Sequence, residues 1–188
     1  MKKVLLLVAV LVAGIVSANA QSENYKAFKV DLGLLYAIPG GDGITGGIGY
    51  YLEPKYNLTD NIALGLKLEG AVMGADDISG ASASITALGS YQLTGDYYFG
   101  DSKVRPFLGL GTGIYSMGSI DYDFSLDADS NMSLDYGSKF GFAPRAGLLL
   151  GHFRVAMEYN VITGIEDPLP SRNYLSFKVG FEIGGGKK

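Results

Sequence analysis

The chain has no cysteine, no tryptophan and a single histidine, His152, among its 188 residues. Without cysteine neither a disulfide nor a thiolate metal site can form, and one histidine excludes a histidine-based metal cluster. Basic residues are in the minority, 15 Lys+Arg against 19 Asp+Glu, for a net charge of −4. That balance argues against nucleic acid as a partner, because a phosphate backbone is met by a basic stripe. After residue 20 no apolar run approaches the roughly 20 residues that a spanning helix needs. What the chain does have is glycine, 28 residues, and tyrosine, 13. The glycines follow no three-residue period, so they are not collagen-like. They fit a chain of many turns and close backbone approaches.

The first twenty residues read as a leader. Met1-Lys2-Lys3 is a short basic region, Val4–Val16 is almost entirely apolar, and Ser17-Ala18-Asn19-Ala20 ends in a small-x-small cleavage pattern. The apolar run is too short for a membrane anchor. Residues 1–20 are therefore expected to be a signal peptide and residues 21–188 an exported domain. Cleavage removes Lys2 and Lys3 and leaves 13 basic against 19 acidic residues.

The exported part alternates with period two, the mark of strands with two unlike faces. The clearest stretch is Ile62–Val72. Ile62, Leu64, Leu66, Leu68, Gly70 and Val72 share one face, and Ala63, Gly65, Lys67, Glu69 and Ala71 share the other. Eleven residues at about 3.3 Å each, tilted by about 45°, cover roughly 25 Å, the height of the apolar band of an outer-membrane barrel. Seven further strands are predicted, over about 27–38, 45–56, 83–98, 104–115, 139–150, 153–161 and 173–183. Between them lie short turns at Asn57–Asn61, Phe99–Lys103 and Gly151-His152, and longer connections at 39–45, 74–82, 116–138 and 162–172. Short turns alternating with long loops form the pattern of bacterial barrels. The longest connection carries Asp121, Asp123, Asp127, Asp129 and Asp135 yet still alternates in part, and it is read as a hairpin in which the two flanking strands project beyond the membrane.

Charge is sorted by face. The polar faces carry Lys29, Lys55, Lys67, Arg105, Arg145, Arg154 and Lys178 with Asp31, Glu53, Glu69, Asp96, Glu158 and Glu182; the apolar faces carry none. A charge turned to lipid at mid-membrane costs about 2–4 kcal/mol, which accounts for the exclusion. An eight-stranded barrel is just wide enough for side chains to fill it, so these thirteen charges are expected to form a paired internal network. The fold class is thus all-β, an eight-stranded antiparallel up-and-down transmembrane β-barrel. Tyr36, Tyr50, Tyr56, Tyr91, Tyr97, Phe107, Phe140, Phe142, Phe153, Tyr159 and Phe181 cluster near strand ends, and the outward-facing ones are expected to form interfacial girdles.

Three segments carry a family resemblance: Tyr56–Gly65 (YNLTDNIALG), Arg105–Gly113 (RPFLGLGTG) and the closing Phe177-Lys178-Val179-Gly180-Phe181. In this order they resemble the small outer-membrane β-barrels, the OmpA/OmpX-like and opacity-type barrels often labelled porin-family proteins, over nearly all of residues 26–186. The resemblance implies export, insertion by the outer-membrane assembly machinery, and contact with outer-membrane lipid and lipopolysaccharide. That machinery usually reads a last strand ending in an aromatic residue. Here Phe181 is followed by Glu182-Ile183-Gly184-Gly185-Gly186-Lys187-Lys188, so the chain departs from the pattern; such a glycine-lysine tail is similar to barrels of the Bacteroidetes type.

No residue is nominated as catalytic, cofactor-binding or metal-ligating. A Ser-His-Asp triad would need His152, which falls in a tight turn. Asp121, Asp123, Asp127 and Asp129 do not match the spacing of an EF-hand loop and read as a solvated acidic hairpin. The leading expectation is a non-enzymatic outer-membrane barrel, acting in envelope integrity or through its extracellular loops, with no cofactor and an unidentified extracellular ligand. Two alternatives stand beside it: a narrow porin or small-solute transporter, and a soluble periplasmic lipocalin-like binding barrel.

Overall fold

A computed structural model describes residues 22–40, 44–75, 82–123, 137–164 and 173–188. The proposed leader, the tips of the four long connections, and Asp127, Asp129 and Asp135 lie outside them. Eight strands close into one antiparallel barrel in sequence order. They are β1 (Phe28–Pro39), β2 (Ile44–Asn57), β3 (Ile62–Ala75), β4 (Ser82–Tyr98), β5 (Val104–Asp123), β6 (Gly137–Leu150), β7 (Phe153–Ile162) and β8 (Tyr174–Gly184). The seam between β1 and β8 runs from Lys29 opposite Gly184 to Pro39 opposite Tyr174. Closure removes every sheet edge, which lets a sheet stand in lipid with its backbone polar groups paired.

The two faces separate as the alternation predicts. Leu34, Ile48, Tyr50, Leu66, Tyr91, Leu108, Phe140, Met157 and Phe181 are among the large apolar side chains that stand exposed on the outer wall. All thirteen charged residues of the polar faces are buried. A soluble monomer rarely exposes a continuous apolar surface of more than a few hundred Å²; here it runs round every strand.

Glycine makes room where strands and inner rings meet. A β-carbon on Gly33 or Gly180, opposite each other across the β1–β8 seam, would collide with the neighbouring backbone and with the Tyr51 ring. Gly147 underlies the Phe107 ring and Gly141 the Tyr115 ring in the same way.

Three details extend the sequence reading. Phe107, which the alternation places on the inner face, is 1% exposed and so belongs to no girdle; Pro106 and Leu108 hold the outward positions. The upper part of β5 pairs with β4 as far as Ser82 opposite Asp123, and β5 pairs with β6 as far as Met117 opposite Gly137; residues 124–136 of the expected 116–138 hairpin lie outside the described residues. The polar tail after β8 is also held in place. Tyr25 and Lys187 form a bridge, Lys26 N donates to Gly186 O at 3.0 Å, and Lys188 N donates to Asn24 O at 2.9 Å. Residues 24–26 and the C-terminal tail thus clasp each other at the short-turn end. Gly184 and Gly185 adopt φ of 81° and 66°, a left-handed geometry that turns the tail back and that glycine adopts without steric cost.

Candidate functional site

The inner wall is layered from end to end. At the short-turn end Tyr98, Phe107, Leu149, Ala63 and Ala156 form one apolar cluster. At the long-loop end Leu35, Ala37, Ala71, Met73, Tyr115, Ile162 and Tyr174 form another, with Leu88 packed against it. Leu88 interrupts the polar alternation of β4, and this contact gives the reason. Most of the charges lie between the two clusters; Arg105 and the Lys29–Glu182 pair sit at the short-turn end.

The lower half of the charged layer centres on Asp96. Its carboxylate accepts from Arg145 Nε at 2.7 Å, Lys55 Nζ at 2.8 Å and Arg154 Nη2 at 3.0 Å. Asp31 accepts from Lys55 at 2.5 Å, and Glu53 is gripped by two Arg145 nitrogens, at 2.7 and 3.2 Å. The upper half centres on Glu158, which accepts from Lys67 and, at 2.7 Å, from Lys178. Lys178 also donates to Glu69 at 2.5 Å, whose other oxygen takes the Tyr174 hydroxyl at 2.9 Å. Arg145 joins the halves, with a nitrogen 3.7 Å from Glu158. At the lower margin Lys29 meets Glu182 at 2.8 Å, and the Tyr98 hydroxyl accepts from Arg154 at 2.8 Å. Rings line the cations as well: the Arg154 guanidinium lies 3.7 Å from the Phe107 centroid, a cation–π contact that strengthens where water is excluded.

Isolated charges in such a place would be prohibitively costly; close pairing with extra hydrogen bonds offsets their desolvation. Sequence reasoning assigned these residues to the inner face but missed their partners. Arg145 on β6 reaches Glu53 on β2, and Lys178 on β8 reaches Glu69 on β3. These pairs cross the lumen, and no short-range spacing encodes them.

His152 sits in the turn between β6 and β7, as its neighbours imply, and its Nδ1 donates to the carbonyl of Glu182 at 2.8 Å. Asp101 and Ser102 line the same cleft as His152, yet the Ser102 hydroxyl donates to Val104 O at 2.6 Å. These bonds commit both groups to shaping turns. Asp121 and Asp123 fall on the upper end of β5.

A closed eight-stranded barrel with an apolar outer wall and a charged core belongs to the class of outer-membrane β-barrel proteins. Residues 7–182 match the outer membrane protein beta-barrel domain family, and the chain belongs to that family. Among solved structures it is similar to the Neisserial surface protein NspA, with a TM-score of 0.64 and 14% identity over 86% of this chain and 99% of that one. It is also similar to OprG from Pseudomonas aeruginosa (0.53, 16%, 88% and 98%) and to Ail, the attachment invasion locus protein of Yersinia pestis (0.51, 14%, 84% and 99%). At these identities the likeness is one of fold. A comparison with curated proteins returned no match. The protein is thus an outer-membrane barrel, and the soluble lipocalin-like alternative is set aside: its faces would have to be reversed, with the charges outside and the apolar side chains within.

Proposed function

We propose that this protein is a non-enzymatic barrel, closed to solutes, that acts in envelope integrity or through its extracellular loops. The observation that carries this reading is the ion-pair layer, held between apolar clusters at both ends of the lumen. A solute crossing the barrel would have to displace packed aromatic rings and then part several buried ion pairs. Its working contacts are then outside the lumen: lipid and lipopolysaccharide around the wall, the assembly machinery during insertion, and an extracellular ligand at the loop end. Export follows from the leader, with the mature domain at 21–188; the mass of the protein from outer membranes should correspond to a chain beginning at Gln21.

The test is single-channel recording on protein whose unboiled form migrates faster than its boiled form, so that only folded barrels are counted. The reading expects a bilayer with no large, stable current steps. Reproducible steps of constant size would favour the narrow-porin alternative and overturn the closed one.

A further inference from the structure

Among the described residues the interior holds seven basic and six acidic side chains, and the structure identifies the surplus cation. Lys29, Lys55, Lys67, Arg145, Arg154 and Lys178 each have a carboxylate partner. Arg105 has none among the described residues, although it is 6% exposed. Its guanidinium is held by neutral groups. Nε donates to Gly100 O at 3.1 Å and Nη2 to the Asp60 carbonyl. The Tyr25 ring lies 4.3 Å away and the Tyr98 ring 4.9 Å. Nη1 has no hydrogen-bond partner among the described residues.

Arg105 is also part of the wall of a cleft of about 440 Å³ at the short-turn end, enclosed by the terminal clasp and the turns after β4 and β6. Lys103 and Lys187 line it too, with His152 and the side-chain-free Gly185-Gly186. Two acids share the lining, Asp101 and Glu182, but Glu182 is already neutralised by Lys29 at 2.8 Å. The balance is therefore positive.

We propose that this cleft binds a phosphate-bearing anion, with Arg105 as its anchor and Lys103 and Lys187 at its rim. A buried cation without a counter-charge is costly, and an anion in the cleft would supply that charge. The planar guanidinium fork suits phosphate, and ammonium groups add point charges around it. In bacterial barrels the short-turn end faces the periplasm, which puts the cleft level with the headgroups of the inner leaflet. The same chemistry is offered there by a phospholipid headgroup and by a free phosphate ester. The site does not depend on whether the barrel conducts.

The experiment uses the full mature chain, folded in phosphate-free detergent and checked by its unboiled mobility. Amide and guanidinium NMR shifts are followed during titration with inorganic phosphate, and separately with short-chain phosphatidylglycerol. A saturable shift centred on Arg105, weakened roughly tenfold or more in Arg105→Gln, is the expected result, because charge-assisted hydrogen bonds carry at least that factor. The double variant Lys103→Gln/Lys187→Gln removes only rim charges; it should fold normally and still bind more weakly. Saturation by the lipid alone assigns the site to a headgroup, and equal saturation by both assigns it to phosphate as such. No saturable shift with either probe, or binding unchanged in both variants, overturns the proposal.

Discussion

Replacing Asp96 with asparagine tests whether the charged layer stabilises the barrel or merely occupies it. The substitution keeps size and shape but removes the carboxylate that Arg145, Lys55 and Arg154 share at 2.7, 2.8 and 3.0 Å. Seven interior cations would then face five anions. Removing one partner from a buried pair typically costs about 3–5 kcal/mol. Here the three cations are not stranded: Lys55 keeps Asp31 at 2.5 Å, Arg145 keeps Glu53 at 2.7 Å, and Arg154 keeps Asp31 at 3.4 Å. Asparagine can also still accept the Arg145 Nε–H. The lower end applies, about 3 kcal/mol, or a folding equilibrium shifted by about a hundredfold. The assay is reversible urea unfolding in lipid vesicles, read by the unboiled band. Asp101→Asn, at an exposed turn position, is the control and should stay within about 0.5 kcal/mol of the parent. Lys55→Met combined with Asp96→Asn should cost less than the sum of the two single changes by at least about 0.5 kcal/mol, since the pair is in contact. A loss below about 1 kcal/mol for Asp96→Asn would refute the reasoning.

Three further outcomes follow from other parts of the molecule. Gly180→Val places a side chain where the seam has only backbone and the Tyr51 ring, so the unboiled band should be lost or greatly reduced, whereas Gly89→Ala, with open space around its β-carbon position, should fold normally. The Ser22 hydroxyl and the Asn24 N–H, both donated to the Asp60 carboxylate, lower its pKa from 3.8 to about 2. A lowered carboxylate pKa means that the hold on residues 22–24 is complete above about pH 4 and is lost as pH falls through about 2. Pepsin cleavage near Tyr25 should therefore rise towards pH 2 in the parent and be high across pH 2–4 in Asp60→Asn; identical profiles would count against it. Met73→Lys would put a charge into the apolar cluster at the loop end. It should destabilise the barrel by several kcal/mol in the same urea assay, and a neutral effect would mean that this cluster is wet.

Much of this was legible because strand alternation and membrane chemistry impose the same constraint twice. A residue such as Lys67 must face inward both by its place in the period and by the cost of turning it to lipid, so the inner face is over-determined. The Ile62 strand and the Gly151-His152 turn follow from local pattern alone. The pairings of Arg145 and Lys178 do not, because they depend on the stagger with which the sheet closes, a property of all eight strands together. The pairing of the upper part of β5 with β4 is hidden for a related reason: Ile120 and Tyr122 keep the period in sequence, but alternation does not say which neighbour a strand pairs with. The composition of the tail shows that it is polar but not where it lies; its bond to Lys26 is visible only in the folded chain. Alternation places Arg105 among the inner bases, and only the geometry singles it out as the one without a carboxylate partner among the described residues.

The lumen-crossing pairs also bear on how fast the barrel forms and comes apart. Lys178 and Glu69 lie 109 residues apart in the chain, and Arg145 and Glu53 lie 92 apart. Contacts so distant in sequence form late, since loop-closure entropy is lost before they contribute. They cannot assemble until β8 meets β1, so their formation coincides with the last step of closure. The reverse journey begins with the same step: to open the seam is to strand paired charges at once, within a lipid-bounded cylinder. The closed barrel is then held by a barrier to opening as well as by its equilibrium stability.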